Sequence, residues 1–248
     1  MTEQLYGRNA VREALRARRR TLHRLYVSSG VQETGVMAEI VRLAGEAKVN
    51  VERVERQVLD RQLREVNHQG VMLQADAYPY VELEACFELA ARRQEPVMLL
   101  LLDHLQDPQN AGTLLRTAEV IGVHGVCLPG RRAVEITPAV VNASSGATEH
   151  LNIAMIGNLA QTIVELQKGG VWIVGLEDDA DAQDLDRADL NMPLGLVVGA
   201  EGAGLARLTR ERCDFLVRLP MRGQIASLNA AVAGSIALYS AWRQRVER

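Results

Sequence analysis

The amino-acid sequence predicts an α/β protein, with an open parallel sheet in its C-terminal part and a smaller α/β unit before it. Three observations carry this reading. The run Val97-Met-Leu-Leu-Leu-Leu102 is continuously apolar, as a strand buried on both faces of a parallel sheet must be. Beyond it, strand-like segments alternate with segments whose apolar residues recur at helical spacing. Of the 248 residues 48% are apolar, enough to fill such a core and too many for a disordered chain.

In order along the chain, residues 8–19 read as an arginine-laced helix with Val11, Ala14 and Leu15 on one face. Leu22 to Val27 alternates as a strand. Val36 to Ala47 is helical through Val36, Met37, Ile40, Val41, Leu43 and Ala44, and Val49 to Val54 is again a strand. Gln57 to Arg64 is helical and Val71 to Ala75 extended, so a β-α-β-α-β unit is expected here. Asp76 to Tyr80, with Pro79 between two tyrosines, marks a boundary, and a helical stretch then runs to Arg93 and stops at Glu95-Pro96. The expected partition is a small domain over 1–76, a linker and connecting helix over 77–95, and the main domain over 96–248. In the main domain, strands are expected at Gly125 to Leu128, Val171 to Leu176, Leu194 to Val198 and Phe215 to Leu219. Helices are expected at Gly112 to Ile121, Pro138 to Ser144, Leu159 to Gln167 and Leu205 to Arg210, with a long one from Leu228 to Arg245. Ligands in such sheets bind beyond the carboxyl ends of the strands.

The net charge of −3 comes from 28 basic and 31 acidic residues and hides an uneven distribution. Only Lys48 and Lys168 are lysines. Residues 1–24 carry seven arginines and two glutamates, a net of +5, and residues 201–248 carry eight arginines and four acids, a net of +4. Residues 177–190 hold seven acids and one arginine, a net of −6, the pattern of a solvated loop and short helix. Basic patches are what a phosphate backbone feels, so nucleic acid stays open as a partner; a genomic preference for arginine over lysine is the other source of such a composition.

Several classes are excluded by what is missing. No run of about 18 apolar residues exists, so no membrane span is expected. The first residues carry charges where a secretory leader carries an apolar stretch. Cys86, Cys127 and Cys213 suit a reducing cytoplasm and form neither a disulfide framework nor a CxxC pair. The five histidines lack metal-ligand spacing, so no metal is expected. The chain contains no G-x-G-x-x-G, no Gly-Lys-Ser/Thr and no G-x-S-x-G, against a nicotinamide oxidoreductase, a P-loop nucleotidase and a serine hydrolase.

Three clusters each follow a predicted strand. In the first, Asp103-His-Leu-Gln-Asp107-Pro-Gln-Asn110-Ala-Gly112 leads into a helix carrying Arg116, with Asn110 suited to cap it. In the second, Gly199-Ala-Glu201-Gly202-Ala-Gly204, three glycines in six residues can expose amides to an anion or let a flat cofactor approach. Glu201 there would repel a pyrophosphate and suits a cationic or neutral ligand. In the third, Leu219-Pro-Met221-Arg-Gly223 makes a turn before Ser227, Leu228 and Asn229, of which Ser227 or Asn229 can cap the last helix.

Together, DPQNAGTLLRTAE, VVGAEGAGL and LPMRGQIASLNAAVA closely resemble the three motifs of the SpoU (TrmH) family of RNA ribose 2'-O-methyltransferases, members of the trefoil-knotted SPOUT class. The stretch Ser144 to His150 is similar too. LYGRNAVREAL resembles the start of the small domain, similar to ribosomal protein L30e, that binds substrate in the branch modifying 23S rRNA guanosine. Ala230-Ala231 stands where many relatives carry Val-Ser, a departure that touches packing of the last helix. The resemblance implies a knotted α/β SPOUT domain behind an L30e-like domain, a cytoplasmic homodimer, and S-adenosylmethionine held by backbone around Leu176, Gly199, Leu219, Met221 and Leu228. It implies Arg116 as the central catalytic residue, Asn110 and Glu201 holding it and the loop, and Ser227 with Asn229 completing the acceptor pocket. The expected activity is 2'-O-methylation of a 23S rRNA guanosine, with Arg8, Arg12, Arg16, Arg18, Arg19 and Arg20 binding RNA. A tRNA methyltransferase of the same family, or a non-catalytic RNA-binding module, are the alternatives.

Overall fold

The structure is a computed structural model and describes residues 2–130, 133–225 and 227–246. The chain divides into two compact units, the first formed by residues up to Pro79 with Ile136–His150, the second by Tyr80–Glu135 and Leu151 onward.

The first unit is built on a four-stranded sheet of β1 (Thr2–Tyr6), β2 (Leu22–Ser28), β3 (Asn50–Val54) and β4 (Val71–Asp76), ordered β1-β4-β2-β3. Only β2 and β3 run parallel; β4 lies antiparallel to both β1 and β2, with Leu73 opposite Leu5 and Leu25. Helices α1 (Arg8–Ala17) and α2 (Val36–Glu46) pack by the faces the sequence predicts, burying Val11, Ala14 and Leu15 from one and Met37, Ile40, Leu43 and Ala44 from the other. Arg18 ends α1 in the left-handed conformation, φ 48°. A short helix α3 (Arg56–Gln62) leads back to β4. β1 escaped the sequence reading because only Leu5 of its five residues is buried, too little for a visible alternation.

The segment Ile136–His150, expected within the main domain, belongs to the first unit. It contains helix α6 (Pro138–Ala143), whose Asn142 donates to the Tyr6 carbonyl at 3.0 Å, and ends in a 3₁₀ turn over Ala147–His150. Its Glu149 forms a two-pronged ion pair with Arg20, at 2.8 and 3.1 Å, and neither side chain is exposed. Long-range packing of this kind leaves no trace in local periodicity.

The second unit carries a seven-stranded, all-parallel sheet in the order β7-β6-β5-β10-β8-β11-β9. Its strands are β5 (Met98–Leu102), β6 (Gly125–Pro129), β7 (Ile153–Ile156), β8 (Trp172–Leu176), β9 (Gln183–Asp184), β10 (Leu194–Val198) and β11 (Phe215–Arg218). β5 and β10 are buried throughout, as their unbroken apolar runs require. Because successive residues point to opposite faces, Leu99, Leu101 and Val197 meet α4 (Glu84–Arg93) and α7 (Leu159–Lys168) through Cys86, Ala90, Leu159, Ile163 and Leu166. The expected connecting helix is thus an integral part of the sheet's cover. The opposite face carries α5 (Pro108–Val120) and α9 (Ala230–Val246), joined by a 2.8 Å hydrogen bond between Thr117 and Ser235. α8 (Arg207–Arg212) precedes β11. β7 and β9 were missed: the first has four residues, and the second has two, both polar.

Candidate active site

The three clusters meet at the carboxyl ends of β5, β10 and β8 and the end of β11, where open parallel sheets place ligands. α5 begins four residues earlier than expected, at Pro108, and its cap is Asp107, whose carboxylate accepts from the Asn110 amide at 2.8 Å. The expectation that Asn110 caps the helix is corrected. Relieved of that task, the Asn110 side chain donates to Glu201 at 3.0 Å and accepts from Asn229 at 2.8 Å. Asn229 in turn caps α9, accepting from the amides of Ala231 and Val232 at 3.0 and 3.2 Å, so α9 starts at Ala230 and not at Leu228. One amide chain therefore ties together all three clusters, residues separated by 91 and 119 positions in sequence.

The glycine cluster is a tight hairpin. Ala200 and Gly204 exchange backbone hydrogen bonds at 3.1 and 2.9 Å, and a Cβ on Gly199 would lie 2.3 Å from the Gly204 carbonyl oxygen. The glycines serve close backbone approach, and the amides of Ala200 and Gly204 are spent within the loop. Asp103, at the end of β5 and fully buried, accepts from the Ala206 amide at 2.7 Å and holds the far side of this loop. The sequence reading gave it no role; a carboxylate directly after a fully apolar strand was the available signal.

These loops enclose a cleft of about 310 Å³, lined among others by Leu176, Gly199, Glu201, Leu219, Met221, Ser227 and Leu228. All five residues expected to hold a cofactor thus share one cleft. Among the described residues its acids are Glu177, Asp178 and Glu201, and its one cation, Arg218, is paired with Asp184 at 3.0 Å. Burial pushes the Glu177 carboxyl above its usual range against the opposing charge of Arg210, and its Oε2 is buried with no hydrogen-bond partner among the described residues. Such walls suit a flat ligand carrying positive charge and oppose a di- or triphosphate. Arg116 sits elsewhere: it is exposed on α5, six residues after Asn110, and does not line the cleft. Among the described residues no cluster of His, Cys, Asp or Glu has the geometry of a metal site.

Residues 97–239 match the model of the SpoU rRNA Methylase family, and residues 4–81 match that of RNA 2'-O ribose methyltransferase substrate binding. The chain belongs to the SpoU rRNA methylase family. It is 41% identical over 239 residues to YacO of Bacillus subtilis, assigned to the TrmH family of tRNA/rRNA methyltransferases, covering 96% of this chain and 94% of that one. The fold matches an AdoMet-bound rRNA methyltransferase from Sinorhizobium meliloti with a TM-score of 0.76 and 24% identity, covering 98% of this chain and 87% of the other. It matches the TrmH/SpoU tRNA modifying enzyme of A. aeolicus at 0.56 and 27%, over 66% and 83%. As a SpoU family member the chain is an RNA 2'-O-methyltransferase with a SPOUT domain, and the substrate-binding match falls on residues 4–81.

The arginines of that first unit are not one open patch. Arg20 is a structural anchor: it lies inside the unit, pairs with Glu3 at 2.6 Å and with Glu149, and stacks 5.0 Å from the Tyr78 ring. Its assignment to RNA binding is corrected. Arg19 lies over the same ring at 5.5 Å. Arg16 pairs with Glu13 and Glu39, Arg12 with Glu13, and Arg18 approaches Glu46 at 4.0 Å. Burial alone would raise the Glu13 carboxyl; hydrogen bonds from Arg12 and His150 and the charges of Arg16 and Arg12 bring it below its usual range. The +5 block is thus largely balanced by acids from elsewhere in the fold. The C-terminal block behaves alike, with Arg210 on Asp179 and Arg218 on Asp184 of the acidic stretch.

Proposed function

We propose that the chain transfers a methyl group from S-adenosylmethionine to the ribose 2'-oxygen of a guanosine in 23S rRNA, acting as a homodimer. The observation that carries the donor site is the cleft at the strand ends: backbone glycines pressed close enough to leave a slot, with carboxylates and, among the described residues, no unpaired cation in its walls. Bound there, S-adenosylmethionine supplies a methyl carbon on a positively charged sulfur, already activated for in-line displacement. Glu177, Asp178 and Glu201 favour that charge, while Leu176, Leu219, Met221 and Leu228 keep water from it.

The protein's remaining work is to seat the 2'-hydroxyl and manage its proton. Arg116 is too weak an acid to act as an ordinary base at neutral pH. Its role is to hold the neighbouring phosphate or to stabilise the oxyanion that develops on the 2'-oxygen. Asn110, Glu201 and Asn229 keep the loops in register, and Ser227 completes the acceptor pocket.

The dimer accounts for Arg116 standing outside the cleft. Leu228, Val232, Ile236 and Tyr239 recur at helical spacing along α9 and its start, each between 43% and 49% exposed. Val120, on the same face of α5 as Arg116, is 73% exposed. Burying these residues against a second copy brings one protomer's arginine toward its partner's cleft.

A ribosomal substrate is favoured because the fold match to an rRNA methyltransferase spans the substrate-binding unit, whereas the tRNA modifying enzyme matches over only 66% of the chain. Mass-spectrometric mapping of 2'-O-methyl groups after incubation with S-adenosylmethionine, 23S rRNA and tRNA tests the reading. A new methyl group on a 23S guanosine is expected; methylation of tRNA alone overturns the substrate, and methylation of neither overturns the activity.

A further inference from the structure

The first unit contains an open groove of about 710 Å³ that the methyl-transfer chemistry does not use. It lies at the carboxyl ends of β2 and β3, the parallel pair of that sheet, and is walled by the loops that follow them and by the loop entering β4. Its polar lining is formed mainly by Arg8, Arg56, Gln57, Asn67 and Gln69, with Glu55 the one acid among the described residues.

The groove is built, not merely left open. Ser29 closes the strand ends, its amide and hydroxyl both donating to the Val54 carbonyl, at 2.9 and 3.1 Å. His68, buried, links Asp60 at 2.8 Å to the Gly70 amide at 3.0 Å and so fixes the loop before β4. Gly70 has φ +77°, and a Cβ there would lie 2.3 Å from Val31, so the two loops touch only because this residue is glycine. Gln69 holds Arg8 from two sides: its side-chain oxygen accepts from the Arg8 amide at 3.0 Å and its carbonyl from Arg8 Nε at 3.2 Å. Anchored through Nε, the guanidinium keeps its two terminal nitrogens for a ligand. Arg56 is 72% exposed on its side chain and, among the described residues, approaches the Asp60 carboxylate at 4.0 Å.

The chemistry of the lining selects the occupant. Two guanidinium groups suit phosphates; Gln57 can donate to and accept from the edges of exposed bases, and Asn67 and Gln69, whose side-chain oxygens accept from the Gln69 and Arg8 amides, offer their NH2 donors. We infer that this groove binds an unpaired segment of the substrate RNA, Arg8 and Arg56 taking phosphates and Gln57, Asn67 and Gln69 reading bases. The inference rests on the RNA methyltransferase reading and says where, on the substrate-binding unit, the RNA is held. It also sets Arg8 apart from Arg12, Arg16 and Arg20, whose charges are met by carboxylates within the unit.

The test uses the full chain and 23S rRNA. Arg56 and Gln57 are exposed, so the double variant R56A/Q57A keeps the fold. Filter binding across a salt series is expected to show affinity lowered roughly tenfold and a salt slope reduced by about one, with S-adenosylmethionine affinity by calorimetry unchanged. Arg187→Ala, which removes an 83% exposed cation from the second unit, is expected to change RNA affinity far less. Unchanged RNA affinity in R56A/Q57A, or an equal loss in Arg187→Ala, overturns the groove assignment. Failure of the unaltered protein to bind RNA overturns the underlying reading instead.

Discussion

Asn229 donates to Asn110 across 119 residues of sequence, at 2.8 Å, and this single hydrogen bond joins the start of the last helix to the start of α5. Both asparagines have a second task. Asn110 reaches Glu201 of the glycine hairpin, and Asn229 caps α9. The loops of the cleft are therefore held by one relay of side-chain amides, so a change at either asparagine is felt on both sides of the site.

Asn229→Ala removes a helix cap and a tether together. A cap of this kind contributes about 1 kcal/mol. The melting temperature is expected to fall by roughly 2–4 °C by calorimetry, with affinity for S-adenosylmethionine reduced as the loops lose register. An unaltered melt and unaltered affinity would remove the relay from the account of the site.

Arg116→Ala is expected to leave S-adenosylmethionine binding intact and to abolish methyl transfer. Arg116→Lys is not expected to restore it, because an ammonium does not reproduce the planar two-pronged hydrogen bonding of a guanidinium. Equal loss of cofactor affinity and transfer in Arg116→Ala, by calorimetry and a methylation assay, would defeat the assigned role.

Arg20→Ala tests the anchor. It leaves Glu149 buried without its partner, a change that typically costs about 3–5 kcal/mol, whereas Arg16→Ala removes an exposed pair contributing at most about 1 kcal/mol. Denaturant titration should separate the two variants clearly. Similar stabilities would mean that Arg20 carries no structural load.

Glu177 sets a pH dependence. Its carboxyl is raised by burial in the folded chain, so the folded state holds a proton more firmly than the unfolded state does. Its favourable contribution is complete below the ordinary carboxyl range and is lost as pH rises through the raised value. Glu177→Gln, uncharged throughout, should gain stability relative to the unaltered chain as pH is taken from about 4 to about 8. Parallel stability curves across that range would contradict the assignment.

Ile236→Asp places a charge in the middle of the exposed α9 stripe, at a position 43% exposed in the single chain. Light scattering after gel filtration should report a monomer for the variant and a dimer for the unaltered protein, with methyl transfer lost alongside. A monomeric but fully active variant would show that one chain makes a complete site.

The apolar patterns of α1, α2, β5 and β10 are periodic over enough residues to specify both element and buried face, and the structure keeps them. β7 and β9 were invisible because they have only four and two residues, and β1 because a single one of its five residues is buried; each takes its place by pairing with another strand. The cap of α5 was misread for a related reason. Asp107 and Asn110 are both good caps, and local propensity cannot tell which side chain is needed elsewhere. Only the arrival of Glu201 and Asn229 assigns Asn110 to the site.

Charge shows the same division. Composition determined that arginine dominates and that it gathers at both ends of the chain, and the three motifs with their order determined the family, hence the reaction. Which arginines face solvent was decided by the tertiary structure. Glu39, Glu46 and Glu149 come from distant segments to meet the N-terminal block, while Arg8 is held on a groove by Gln69. Coulomb interactions depend on distance through the fold, not along the chain, so a charge count by segment locates a binding surface only after the chain has folded.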